Sequence, residues 1–128
     1  MIILIEDQEG QKFGGYISST INKYNEWIED PNAFVLSLKS NRILFQPMKF
    51  IIKDQSKAFL FNNSDKEKFL FLIGRSNYGC DIAIYKQNNC KQQSYCENNN
   101  FNYENIKNAL RGTNDYFTPK RLIVIQMN

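Results

Sequence analysis

The run Ala33-Phe34-Val35-Leu36-Ser37-Leu38 decides how this chain folds. Its apolar residues stand on both sides of the pleat, which is typical of a central strand covered above and below. Short apolar runs separated by turn residues follow it, and they predict strands at residues 43–45, 48–52, 57–61 and 68–73. Because closely spaced strands pair with their neighbours, this part of the chain predicts antiparallel sheets.

Toward the amino terminus, the sequence predicts a β-hairpin. Residues 2–5 are apolar, Asp7-Gln8-Glu9-Gly10 offers a turn, and residues 11–16 resume an extended pattern. Gly14 and Gly15 lie inside the second of these strands. Since glycine weakens strand pairing, the two residues indicate a bulge or the close approach of another element, and we interpret both as scaffold.

Only one stretch favours a helix. Between residues 18 and 30, the apolar residues recur at the spacing of one helix face: Ile21, Tyr24, Trp27 and Ile28. Residues 81–85 and 121–127 predict the last strands, 87–102 a surface loop, and 106–110 either a strand or a helix. The chain therefore predicts a mainly β fold in a single domain over residues 1–128. Its expected architecture is a two-layer antiparallel β-sandwich with one or two peripheral helices.

Composition limits the compartment and the partners. The 128 residues, 42% of them apolar, suffice for one hydrophobic core. No run of about eighteen apolar residues exists, so the sequence predicts no membrane insertion, no signal peptide and a cytoplasmic location. The net charge of +3 is mild, and basic residues alternate with acidic ones, as in Asp65-Lys66-Glu67-Lys68. Nucleic acid is therefore not expected as a partner.

Residues that carry chemistry are scarce. The chain has no histidine, which excludes the Ser-His-Asp and Cys-His mechanisms and removes the commonest zinc ligand. Its three cysteines form neither a disulfide framework nor a metal-ligand pattern. We expect Cys90 and Cys96 to be exposed in the polar loop and Cys80 to be buried beside a glycine turn. The sequence thus predicts no metal, no cofactor and no catalytic residue.

One enzymatic alternative stays open at Cys80. Its thiol lies five positions from Arg75 in the sequence, and the arginine would favour peroxide chemistry by lowering the pKa of the thiol. Asp81, the next residue, opposes that shift. The alternative function is therefore a thiol-dependent peroxide scavenger that acts through Cys80.

Several stretches, in the same order along the chain, resemble the TLDc domain of oxidation-resistance proteins. The entry strand of that family is similar to Phe13-Gly14-Gly15-Tyr16, and a later strand is similar to residues 33–38. The Phe-Gly-x-Asp-Ile segment of the family resembles Tyr78-Gly79-Cys80-Asp81-Ile82, and its final loop and strand resemble residues 116–125. The family usually has Gly-Pro where this chain has Arg75-Ser76, and a glutamate where Ile123 stands. The resemblance covers almost the whole chain, without the helical segment that precedes the first hairpin in the family.

This resemblance implies a sandwich of two antiparallel sheets that works as a non-enzymatic interaction module. It implies a protein partner, with subunits of the vacuolar-type proton ATPase as candidates, and a link to protection against oxidative stress. The residues that carry the likeness are the candidate partner-binding positions: Phe13, Gly14, Gly15, Tyr16, Tyr78, Gly79 and Asp81. For Asp81, the commonest structural role is to accept backbone N–H groups next to a turn.

Overall fold

A computed structural model shows two antiparallel sheets that pack face to face, and it describes residues 1–40, 46–86, 93–113 and 116–126. The prediction of a mainly β fold with two antiparallel layers is confirmed. The strands of the described ranges are β1 (Ile2–Asp7), β2 (Lys12–Tyr16), β3 (Phe34–Lys39), β4 (Met48–Ile51), β5 (Phe59–Phe61), β6 (Phe69–Ser76), β7 (Gly79–Tyr85), β8 (Tyr95–Cys96) and β9 (Pro119–Ile125).

The first sheet, sheet A, has the strand order β4-β3-β2-β1-β9, and the second, sheet B, has the order β5-β6-β7-β8. The predicted hairpin is confirmed, because β1 pairs with β2 from Ile2 opposite Tyr16 to Glu6 opposite Lys12. On its other side β1 pairs with β9, so the strand that begins the chain lies inside the sheet and β9 forms the edge.

The core lies between the two sheets. Alternate residues of β1 face it, as their burial shows at Ile3 and Ile5. Sheet B contributes Ile73 and Ile82 from its central strands, and both side chains are fully buried. Residues outside the strands complete the same cluster, namely Ile17, Ile28, Phe101, Tyr103, Ala109, Leu110 and Phe117.

The helix predicted between residues 18 and 30 is wrong. This segment is a loop whose end is fixed by Asp30, because its carboxylate accepts hydrogen bonds from Ser18 and from the backbone N–H of Ser19 and Asn32. Asn25 has a φ of 63°, which an α-helix does not accommodate. Helical structure in the described residues is limited to the short 3-10 turn Gln55–Lys57, so the expected peripheral helices are absent from these ranges.

The prediction of a polar surface loop over residues 87–102 is wrong for its described part. Residues 95–96 form β8, and Asn100 and Phe101 are buried. Residues 106–110, which were consistent with a strand or a helix, form turns in which Ala109 and Leu110 enter the core. The strand predicted at residues 43–45 and the exposure predicted for Cys90 lie outside the described residues.

Candidate interaction surface

The Phe-Gly-Gly-Tyr stretch lies in β2, in the interior of sheet A. Phe13 is fully buried, and Tyr16 stacks on Phe34 with a ring-centroid distance of 4.9 Å. A Cβ atom at Gly14 would overlap the carbonyl oxygen of Ile3, and one at Gly15 would come to 3.0 Å from Cδ1 of Ile73 in sheet B. Both glycines therefore allow the close approaches that their place in a strand indicates.

The second candidate group lies in the hairpin between β6 and β7. Tyr78 is the most exposed of the large apolar side chains there, at 92%. Gly79 follows it with a φ of 152°, a conformation that favours glycine. Asp81 is fully buried, and its carboxylate is distant from solvent despite the exposed turn beside it. The structure therefore places one exposed residue and one buried residue in this group.

Asp81 holds the segment after β8 against sheet B. Its carboxylate accepts hydrogen bonds from the backbone N–H of Asn99 at 3.0 Å, from that of Asn100 at 2.8 Å, and from the Tyr103 hydroxyl at 2.7 Å. Burial raises the pKa of Asp81 to about 6, although these hydrogen bonds act in the opposite direction. Asp81 thus accepts backbone N–H groups as expected, but the donors come from a distant part of the sequence.

The two described cysteines are both buried. Cys80 packs with Leu60, Leu72 and Ala83, and burial raises the pKa of its thiol more than Arg75 lowers it. Cys96 lies in β8 opposite Ile82, and burial raises its pKa well above the ordinary value. The exposure predicted for Cys96 is therefore wrong, because a strand of sheet B runs through the supposed loop.

A buried ion pair at the end of β1 was not predicted from the sequence. Nε of Arg111 lies 2.7 Å from Oδ2 of Asp7, and both side chains are fully buried. The guanidinium also lies over the Phe117 ring, 4.6 Å from its centroid. Asp7 and Arg111 are 104 positions apart in the sequence, and neither position carries a local signal for the pairing. The pair joins β1 to the turn after residue 110.

The exposed apolar side chains of the molecule concentrate on β9. Its last residues are 37 to 54% exposed: Leu122, Ile123, Val124 and Ile125. In β1 the burial alternates, whereas in β9 both faces are accessible. Single exposed apolar residues are normal, but a contiguous group marks an interaction site. We refer to Leu122, Ile123, Val124 and Ile125 as the β9 surface.

The β9 surface continues onto the outer face of sheet A, where Leu4 is paired with Ile123 and Glu6 with Arg121. A hollow of about 160 Å³ lies beside these pairs. Its lining residues are Leu4, Ile5, Glu6, Lys12, Phe13, Leu38, Arg121 and Ile123. Glu6 stands between two cations, 3.9 Å from Nζ of Lys12 and 4.0 Å from Nε of Arg121. Phe13 borders this hollow although its side chain is buried, whereas Tyr78, Gly79 and Asp81 do not line it.

The described ranges were also compared with the requirements of a metal site and of a membrane-spanning helix. No group of three or more cysteine, aspartate or glutamate side chains is placed there to hold a metal ion. Within the same ranges, no helix has the length and apolar character needed to cross a membrane. The feature that stands out is an apolar, strand-shaped surface with basic residues at one end.

These features define a two-sheet β protein with an apolar edge strand. The family model of the TLDc domain matches residues 1–122, and the chain belongs to that family. No curated protein and no solved structure matches it. The resemblance inferred from the sequence motifs is therefore confirmed over nearly the whole chain.

Proposed function

We propose that this protein is a non-enzymatic TLDc interaction module of the cytoplasm, which binds a protein partner through the β9 surface. The observation that carries the proposal is the exposure of four consecutive apolar residues on a strand of a rigid sheet. Such a patch is costly in water unless a partner covers it. The family to which the chain belongs supports subunits of the vacuolar-type proton ATPase as partners and a role in protection against oxidative stress.

The burial of several family-motif residues also supports this proposal. Phe13, Gly14 and Gly15 hold the sheets together, and Asp81 fixes the segment that follows β8. These residues are scaffold and not contact residues. The parts proposed to contact a partner are the β9 surface and the adjoining hollow, whereas the exposed Tyr78 does not line that hollow.

The test is a pull-down of peripheral subunits of the proton ATPase from the source cell with the tagged, folded protein. We expect the unaltered protein to capture them, Val124→Lys to lose them, and Tyr78→Lys to retain them. The last variant is the matched control, because it places the same charge on another exposed apolar residue. Repeated absence of these subunits with folded protein would contradict the ATPase assignment.

The peroxide-scavenger alternative receives no support from the surroundings of Cys80. Its side chain is 2% exposed, and its burial among apolar residues disfavours the thiolate that attacks peroxides. We therefore expect Cys80→Ser to leave peroxide consumption by the purified protein unchanged. A peroxide activity that this substitution abolishes would contradict the non-enzymatic proposal.

A further inference from the structure

We propose that β9 binds one extended segment of a partner protein, which adds to sheet A as an antiparallel sixth strand. The segment consists of four apolar residues followed by two acidic residues. This inference deepens the proposed function and rests on it, since it names the chemistry of the partner and the way in which it is bound.

The first observation is an open sheet edge. β9 is hydrogen-bonded to β1 on one side, and no strand of the described ranges pairs with its other side. An unpaired edge presents free N–H and C=O groups that can accept another strand. Lys120 and Arg121 stand at one end of β9, and the following residues, 122–125, carry no charge that would repel an added strand.

The opposite edge of the same sheet is protected. β4 has four residues and carries Lys49 among them. Backbone hydrogen bonds also join it to the segment after β8, from the N–H of Asn102 to the carbonyl of Ile51 at 2.8 Å. Short length and a covering segment are features that prevent edge pairing. Of the two edges of sheet A, β9 is therefore the one that can accept an additional strand.

The chain itself shows which sequence complements β9. Strand β1 reads Ile-Ile-Leu-Ile-Glu-Asp, and its four apolar residues lie opposite the β9 surface from Ile2 with Ile125 to Ile5 with Leu122. Its first acidic residue, Glu6, lies opposite Arg121. The side chains of β9 project above and below the sheet and not toward one edge, so both edges present the same pattern. A strand at the open edge therefore requires the pattern of β1.

A second copy of this chain fits the open edge less well. If the apolar residues of two β9 strands faced each other, Lys120 and Arg121 would lie opposite apolar residues or Gln126, none of them acidic. The β1 strand of a second copy is held between its own β2 and β9. Charge complementarity thus favours a separate partner segment that carries its own acidic residues.

The probe is a fluorescein-labelled peptide with the sequence of residues 1–10, MIILIEDQEG, in which the β1 pattern is intact. The comparison peptide carries lysines at the positions of Glu6 and Asp7. Binding to the full chain is measured by fluorescence anisotropy. We expect the acidic peptide to bind about tenfold more tightly than the lysine peptide, since two opposed charges change from attraction to repulsion.

Protein variants identify the edge that binds. We expect the double variant Lys120→Glu/Arg121→Glu to reverse the preference between the two peptides. The double variant Lys49→Glu/Lys53→Glu, with the same charge change near the other edge, keeps the original preference. Equal binding of both peptides, or a preference that the first double variant leaves unchanged, would overturn the proposal. A dimer in sedimentation experiments that Val124→Lys dissociates would assign the edge to a second copy, and would overturn it too.

The same variants separate this inference from the proposed function. If Lys120→Glu/Arg121→Glu captures the ATPase subunits as well as the unaltered protein does, the edge proposal fails and the ATPase assignment stands. If the peptides show the expected reversal while no ATPase subunit is captured, the edge proposal stands and the ATPase assignment fails.

Discussion

Strands β1 and β9 are neighbours with similar apolar sequences, yet they have different environments. Ile3 is 2% exposed, whereas Val124, its direct partner across the two strands, is 54% exposed. β1 has a strand on each side and faces sheet B, while β9 has a neighbouring strand on one side only within the described ranges. An apolar pattern therefore indicates a strand, and the position of that strand in the sheet decides whether its side chains form core or surface.

The Phe-Gly-Gly-Tyr motif and the candidate interface lie on different strands. The Phe-Gly-Gly-Tyr motif abuts β1, where Gly14 lies against the backbone of Ile3. Phe13 and Gly14 of that motif are buried, whereas the residues of the β9 surface are exposed. A motif can thus identify a family through its scaffold without forming the surface that is available to partners.

The largest contrast is expected between two arginines that face neighbouring carboxylates of β1. Arg111 pairs with Asp7 in the core, whereas Arg121 of β9 lies 4.0 Å from Glu6 with most of its side chain in solvent. We expect Arg111→Ala to lower the free energy of unfolding by about 3–5 kcal/mol, because it leaves a buried carboxylate without its cation. Arg121→Ala is the control, with an expected loss within about 0.5 kcal/mol. Urea denaturation measures both losses. Similar values would contradict the distinction between the buried ion pair of Arg111 and the exposed one of Arg121.

Asp81 is a second buried carboxylate, and it forms no salt bridge in the described ranges. Its pKa of about 6 in the folded state exceeds the ordinary 3.8, so the folded protein binds more protons than the unfolded chain between these values. Stability from this group therefore falls as the pH rises from 4 to 7, by on the order of 2 kcal/mol. Asp30 has the opposite pH dependence and acts mainly below this window. Burial opposes its ionisation, but hydrogen bonds led by that from Ser18 hold its pKa below 3.8.

Urea denaturation at a series of pH values between 4 and 7 checks this prediction. We expect Asp81→Asn to remove the decline, because the amide does not titrate. Tyr103→Phe moves the decline to higher pH, since it removes a hydrogen bond that lowers the pKa of Asp81. A free energy of unfolding that rises across this window in the unaltered protein, and does so equally in Asp81→Asn, would contradict the assignment.

The glycines beside β1 give a smaller contrast. A methyl group at Gly14 would overlap the backbone of Ile3, whereas one at Gly15 would meet the end of the Ile73 side chain, which can shift. We expect Gly14→Ala to cost about 1 kcal/mol more stability than Gly15→Ala, since backbone adjusts less readily than a side chain. Thermal or urea unfolding of the two variants measures the difference. An equal cost would show that the backbone of β1 yields as easily as Ile73.

The sequence predicted the strands well because their patterns are local. The hairpin of β1 and β2 needs only two extended segments and a turn, and β3 needs only its continuous apolar run. The expectation that this run is covered on both sides is wrong, because Val35 is buried while Leu38 is 42% exposed. The loop over residues 18–30 was mistaken for a helix because the apolar spacing outweighed the polar bonds of Asp30, which depend on the folded chain.

The candidate surface was less predictable than the fold. The apolar residues of β9 were predicted to form a strand, but no local pattern indicates that this strand lies at the edge of sheet A with its side chains exposed. The pairing of Asp7 with Arg111 likewise depends on two segments that meet only in the folded molecule. The sequence reasoning selected buried motif residues as candidates because family likeness is strongest where packing restricts the choice of residue.

The smallest single change in stability is expected at Val124, and it tests the β9 surface directly when the same substitution is made at a buried valine. Val35 of β3 is fully buried, and Val124 of β9 is about half exposed. We expect Val35→Ala to lower the free energy of unfolding by about 2 kcal/mol, through lost burial and the cavity that remains. Val124→Ala changes it by less than about 0.5 kcal/mol, because the deleted methyl groups are largely in water already. Binding of the acidic peptide reverses the order, since Val124→Ala weakens it and Val35→Ala, measured where the variant is folded, does not. If Val124→Ala destabilised the isolated chain as much as Val35→Ala, β9 would be part of the core and its availability to a partner would be refuted.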